Sequence, residues 1–190
     1  MLKPTGSSVE RWESLGTESI HDCRIFTVFR RQSRSPHTKS VHDIYVLEAP
    51  DWVNIIPLTA DRHVVMVRQY RHGVDGVTLE VPAGMVDATD PDPLVAARRE
   101  MIEETGYDSD VIEPLGFTHP NPAFQDNRCH TFLARDVVRR GMPRNDRMEH
   151  TEPVVVPLTH VPDLIRTGAI THALAVVAFH WLLLAESTSQ

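Results

Sequence analysis

Apolar runs bounded by turn-forming residues divide this chain into short segments of two kinds. "WVNIIPL" (52 to 58) and "HVVMVRQY" (63 to 70) flank the turn-like "TADR" and read as strands. "VTLEVPAG" (77 to 84) follows a glycine-punctuated loop and joins them in the sheet of a main domain. Ahead of these, residues 12 to 47 hold the shorter runs "RIFTVFR" and "VHDIYVL" around the polar, basic stretch "RQSRSPHTKS", which predicts a small strand-rich element connected by a loop or hairpin. Further strands are expected at "RCHTFLA" (128 to 134) and "PVVVPL" (153 to 158), after which "VPDLIRTG" and "THALAVVAFHWLLLAE" read as two helices.

The strongest helical signal runs from Asp92 to Gly106. Asp92 suits the N-cap, Pro93 the first helical position and Gly106 the stop, while Leu94, Ala97 and Met101 follow the helical spacing and are expected to face the core. Strands surround this one helix and helices close the chain, an order that predicts a mixed α/β sandwich rather than a doubly wound parallel sheet. There is no internal repeat and no low-complexity tract.

Composition narrows the partners more than the fold. With 190 residues, 41% of them hydrophobic, the chain can bury a core and make one domain with a small appendage. A formal net charge of −7 argues against non-specific binding to nucleic acid or an anionic membrane, although metal ions can still mediate contact with an anionic substrate. The longest apolar run, Ala173 to Ala185, is interrupted by His180 and falls short of the roughly 20 residues that span a bilayer. No apolar signal segment opens the chain, so a cytoplasmic protein is expected. Cys23 and Cys129 lie far apart in sequence, as lone reduced thiols would.

Within the helix, Glu100, Glu103 and Glu104 stand at i, i+3 and i+4 and gather on one side. Like charges at these spacings repel, and the negative C-terminal end of the macrodipole adds to the repulsion. Arg99 reaches Glu103 at i+4, whereas Arg98 reaches only Ile102, so one arginine faces three carboxylates. Either this is a solvated face with loose ion pairs, or divalent cations neutralise it. Hard oxygen ligands of this kind suit Mg²⁺ or Mn²⁺, and Mg²⁺ commonly shares substrate phosphates.

"GMVDATDPDPLVAARREMIEETGY" resembles the signature of the Nudix hydrolases, in which a glycine precedes a glutamate and then Arg-Glu-aliphatic-any-Glu-Glu-any-Gly. The match from Arg99 to Gly106 is complete. One residue more than in the family pattern separates Gly84 from Arg99, and Asp90 is the nearest acidic substitute for the missing glutamate, so a bulged loop is expected before an intact helix. The resemblance covers roughly Trp12 to the last helix, and "VRQYR", "LEVPAG" and the closing "VPL", "RTGAI" and final helix look like the ADP-ribose pyrophosphatase and nucleoside diphosphate sugar hydrolase branch.

That resemblance implies a Nudix-type α/β/α sandwich with a mixed sheet (residues 51–190) and a dimer-forming strand element (residues 1–50). It implies hydrolysis of the pyrophosphate of a nucleotide sugar, ADP-ribose to AMP and ribose 5-phosphate or GDP-mannose to GMP and mannose 1-phosphate. Metal ions, Mg²⁺ or Mn²⁺, would be held by Glu100, Glu103, Glu104 and the carbonyl of Ala83, with Arg99 holding the carboxylates in place. Arg71 would bind phosphate or the distal sugar, and Glu80 would support the site from its strand. The water-activating base would come from "NDRMEHTEPVVVPL", with Glu149 first and Glu152 second.

In "THPNPAFQDNRCH", Ala123 stands where relatives that hydrolyse ADP-ribose carry glycine, and Asn127 or Arg128 stands near their glutamate, which leaves the preferred sugar open. Phe124, Gln125, Asn127 and Arg128 are candidates for a sugar pocket, and Trp52 or Trp12 for stacking on a base. Two other readings share these residues: hydrolysis of dinucleotides, NADH or RNA caps, and a nucleotide-sensing module without catalysis. The second is disfavoured because such modules usually lose the box carboxylates, which this chain keeps.

Overall fold

The computed structural model describes residues 8–145 and 150–187. Residue contacts divide the chain into an N-terminal unit, which ends at Ala49 and includes Asn121–Asn127, and a second unit comprising Pro50–Pro120 and the residues from Arg128 onward.

The first unit is an antiparallel meander of β1 (Glu13–Asp22), β2 (Thr27–Arg34) and β3 (Val41–Glu48). β2 takes in the first four residues of the basic stretch expected to be a loop, and carboxylates face this strand from both neighbours. Arg30 pairs with Glu18 of β1 and lies 3.6 Å from Asp43 of β3, and Arg34 reaches Glu13 at 2.7 Å. Only the turn at 35–40 remains, closed by Ser35 N donating to Ser40 O at 2.9 Å. The segment Asn121–Asn127 joins this unit through Leu47 N, which donates to Phe124 O at 2.7 Å.

The second unit is built on a mixed sheet in the order β12 (Thr151–Pro157), β5 (His63–Arg71), β4 (Trp52–Leu58), β10 (Cys129–Arg135) and β9 (Val111–Thr118). β4 and β10 run parallel, and the other pairs are antiparallel. β4 and β5 pair only at Leu58 and Val64 and then separate, and β6 (Gly76–Glu80) pairs with β5 while β7 (Ala83–Met85) pairs with β4. The separation places the "LEVPAG" segment inside the sheet.

Alternation along the strands sorts the core into two layers. Val53, Ile55, Val65, Phe132 and Ala134 pack with Ala96, Ala97 and Met101 of α1 (Pro93–Thr105). Ile56, Leu58, Val64, Met66 and Leu133 pack with α2 (Val161–Arg166) and α3 (Ala173–Ser187) on the other face. A small ladder of β8 (Tyr107–Asp108) and β11 (Val138–Arg139) completes the unit. This is an α/β/α sandwich on a mixed sheet. β9 was not legible as a strand, since Pro114 and Gly116 read as breakers. It is an edge strand, where a proline costs no ladder bond, and its register shifts between the pairs Thr131–Gly116 and Phe132–Pro114.

Three caps fix the helices that matter below. Asp92 Oδ1 accepts Val95 N at 3.0 Å, and Gly106, at φ 73°, donates its N–H to Ile102 O. After α2, Gly168 N donates to Ile165 O and Ala169 N to Leu164 O, a Schellman turn that needs the left-handed φ of 77° at Gly168. The turn buries Ile170 and leads directly into His172 and α3. Among the described residues no helix is long and apolar enough to cross a membrane.

Candidate active site

The carboxylate helix meets the strand β7 at its start. Glu104 is buried, and its Oε2 accepts the N–H of Ala83 at 3.0 Å. Glu100 lies so close to Gly84 that a Cβ there would stand 2.0 Å from Oε1, so a larger residue would push this carboxylate aside. Glu103, the most exposed of the three, reaches Arg99 Nη1 at 3.3 Å.

Arg99 gathers what the sequence left scattered. Its Nη1 donates to Glu100 Oε1 at 2.8 Å, and its Nη2 donates to Met85 O at 3.1 Å and Asp90 Oδ2 at 3.0 Å. Asp90 therefore reaches the arginine despite the extra residue in the loop. The hydrogen bond to Asp90, assisted by the charges of Glu100 and Asp90, raises the Arg99 pKa against the opposing effect of burial. The same contact holds Asp90 below the usual carboxylate range. Arg98 turns away and makes two bonds to Asp108, at 2.8 and 2.9 Å.

The C-terminal carbonyls of α1 are held by the chain that follows β11. Gly106 O accepts Arg140 N and Gly141 N, Glu103 O accepts Arg144 N at 2.7 Å, and the Thr151 hydroxyl lies 3.1 Å from Glu104 O. Asn145 in turn accepts Thr151 N at 2.9 Å through Oδ1. Sequence reasoning missed this arrangement, and no periodic signal marks it.

A second cluster lies where β5 and β6 pair. Arg71 donates Nε to Glu80 Oε1 and Nη2 to Glu80 Oε2, both at 2.9 Å. Thr78 Oγ1 donates to Oε1 at 2.6 Å, and His172 Nδ1 lies 3.2 Å from Oε2. Burial works against the Glu80 anion, but the bonds from Arg71 and Thr78 outweigh it and keep the carboxyl below its usual range. Burial also lowers the His172 pKa, and Arg71 adds to this while Glu80 opposes it, so the imidazole is neutral at pH 7.

The remaining sequence candidates are dispersed. Glu149 lies outside the described residues. Glu152 is a strand residue paired across to Arg68 at 3.1 Å. It shares parity with Val154 and Val156, which pack in the α3 layer, whereas Thr151 contacts α1, so Glu152 projects from the face opposite the carboxylate helix. Phe124, Gln125 and Asn127 belong to the N-terminal unit. Arg128 stacks over Phe117 at 5.0 Å, with its N–H donating to Asp51 Oδ1 at 2.8 Å. Trp52 opens β4 between Met85 and Cys129, and Trp12 packs edge-on to His42. Burial pushes the Cys129 thiol up to about 12, which makes it inert.

The NUDIX domain pattern matches residues 49–176, from the residue after β3 into α3. The chain belongs to the Nudix family. Its curated relatives include the methanol dehydrogenase activator of Bacillus methanolicus, 29% identical over 75% of this chain and 77% of that protein. The ADP-ribose pyrophosphatase of Bacillus subtilis is 24% identical over 92% of this chain and 94% of its own length. Among solved structures, one described as an ADP compounds hydrolase superposes with a TM-score of 0.83 at 22% identity, covering 96% of this chain and 98% of that one, and shows the shared fold. This Nudix protein is a hydrolase of the pyrophosphatase kind.

Proposed function

We propose that this Nudix hydrolase is a cytoplasmic, metal-dependent pyrophosphatase of nucleoside diphosphate sugars, with ADP-ribose as the first substrate to test and GDP-mannose as the second. Water is consumed and the anhydride P–O bond breaks, giving AMP and ribose 5-phosphate in the first case. The observation that carries the reading is the packing of Glu100 and Glu104 against Gly84 and Ala83, with Arg99 tying Glu100 and Glu103 together. The names of relatives support the substrate class.

A divalent cation fits this donor set. The oxygens are hard, Glu100 occupies the space that a side chain at position 84 would fill, and the N–H of Ala83 is bound by the buried Glu104. When bound, the cation supplies neutralisation of pyrophosphate charge and an acidified water. Glu100, Glu103 and Glu104 hold it with Ala83, and Arg99 keeps the carboxylates from rotating away.

Arg71, fixed by Glu80, presents its guanidinium to the diphosphate or distal sugar. Glu149 remains the first choice for the base. Glu152 is the weaker choice, given its face of the sheet. Trp52, Phe124, Gln125, Asn127 and Arg128 are kept as candidates for sugar and base contacts.

The N-terminal strands are proposed to form a homodimer with a second copy. Among the described residues the fully buried apolar side chains begin at Val53, while Leu15, Ile20, Val41, Ile44 and Tyr45 of β1 and β3 are exposed. A small sheet without its own core needs a partner surface.

The deciding experiment measures phosphate products with Mg²⁺ over ADP-ribose, GDP-mannose, UDP-glucose, NADH and diadenosine polyphosphates. Turnover of a nucleotide sugar that Glu104→Gln abolishes is expected. Wild-type turnover in Glu104→Gln, or hydrolysis confined to NADH or the dinucleoside polyphosphates, overturns the proposal.

A further inference from the structure

His172 is one of eleven histidines, and nothing in the chain around it marks it for chemistry. Its place is nevertheless closely determined. The Schellman turn at Gly168 ends α2 and buries Ile170, and α3 then begins with His172 O accepting Val176 N at 3.1 Å. Asn54 Nδ2 of β4 donates to Leu174 O at 3.0 Å, which ties the first turn of α3 to the sheet. From this anchored backbone the imidazole meets the Glu80 carboxylate beside the separation of β4 and β5.

We propose that His172 is a positioning residue: by donating Nδ1–H to Glu80 it fixes the carboxylate that orients the Arg71 guanidinium, and so tunes substrate affinity without touching substrate. The inference rests on the reading of Arg71 as a ligand for the substrate diphosphate or sugar.

The hydrogen bonds at Glu80 support it. Arg71 Nε and Thr78 Oγ1 donate to Oε1 and Arg71 Nη2 donates to Oε2, while His172 Nδ1 stands 3.2 Å from Oε2. Glu80 is 1% exposed, so solvent cannot replace a missing donor. Without His172, Oε2 keeps only the arginine bond, the carboxylate loses the contact that fixes its plane on that side, and the two-point clamp on the guanidinium loosens. A neutral imidazole donates this bond without adding a second cation that would compete with Arg71 for the same acceptor.

The test compares full-length wild type, His172→Ala, His172→Asn, Arg71→Ala and the His172→Ala/Arg71→Ala double variant, by steady-state hydrolysis of the nucleotide sugar that wild type turns over best and by thermal melting. His172→Ala is expected to raise KM roughly three- to tenfold with kcat within about twofold. His172→Asn, whose amide donates from a similar position, should restore KM, and the double variant should be no worse than Arg71→Ala alone. A raised KM in Arg71→Ala with an unchanged KM in His172→Ala overturns the positioning role and leaves the Arg71 reading intact. An unchanged KM in Arg71→Ala overturns that reading and the inference with it. A lowered melting temperature in His172→Ala with wild-type kinetics reduces His172 to a structural residue.

Discussion

The chemistry of single atoms explains why Gly84 precedes the carboxylate helix. With even a methyl group at position 84, the Glu100 carboxylate would have to leave its place, and Gly84→Ala should lower kcat/KM by at least about a hundredfold, the scale of a misplaced active-site group. Steady-state kinetics beside a circular dichroism spectrum checks it, and wild-type kinetics would remove Glu100 from the site. His172 gives a second prediction, on the acid side. Its native pKa lies below the ordinary 6.5, so the unfolded chain binds more protons between the two values; stability is therefore full above pH 6.5 and falls as pH drops below it. Glu80, also lowered, adds a further loss only when pH falls below its ordinary 4.5 and through its native value. Melting temperatures from about pH 7.5 to about pH 5 should show the first loss in wild type and not in His172→Asn. The three glutamates and Arg99 were legible because like charges at helical spacing are a conflict visible in one dimension. Asp90 was legible only as a substitute, and His172 not at all, because its partners lie far away in sequence on β5 and β6.

Among the elements, α1 followed its sequence closely: the N-cap, the first-turn proline, the glycine stop and the apolar stripe are local signals, and all four appear in the structure. Elements whose existence depends on neighbours were harder to read. β1 has no apolar alternation and is exposed along its length, and the basic end of β2 is paired on both sides by β1 and β3, neighbours that its own sequence does not announce. β9 is held by its packing on α3. A Cβ at Gly116 would stand 2.8 Å from the Trp181 ring, so Gly116→Ala should destabilise the protein by about 1–3 kcal/mol, the range for overpacking, as read from chemical denaturation. Thr151→Val tests the hold on the end of α1. It removes a buried hydroxyl that lies between Glu104 O and Asn145 Oδ1, and about 1–3 kcal/mol should be lost. Equal stability of the variant would show that this hydroxyl adds nothing to the hold on α1.

At the scale of the whole molecule, the sandwich was predictable from the order of strands and helices, but the mixed sense of the sheet rests on one pair, β4 with β10. The exposed apolar side chains of the N-terminal sheet predict that Ile44→Glu shifts the protein from dimer to monomer in analytical ultracentrifugation; a wild-type monomer at micromolar concentration would refute the dimer. The parallel pair also has a temporal meaning. Parallel strands need a long crossover, and here the segment between Trp52 and its partner Cys129 contains β7 and α1, the two elements that bring the carboxylates together. On a ribosome, where the N-terminal part emerges first, the "REMIEETG" helix is made before β9 and β10 of the sheet it packs on. β12 and His172 come later still. A nascent chain therefore carries three closely spaced glutamates before β12 and His172 have been made, and the clusters around them close only once those later segments arrive.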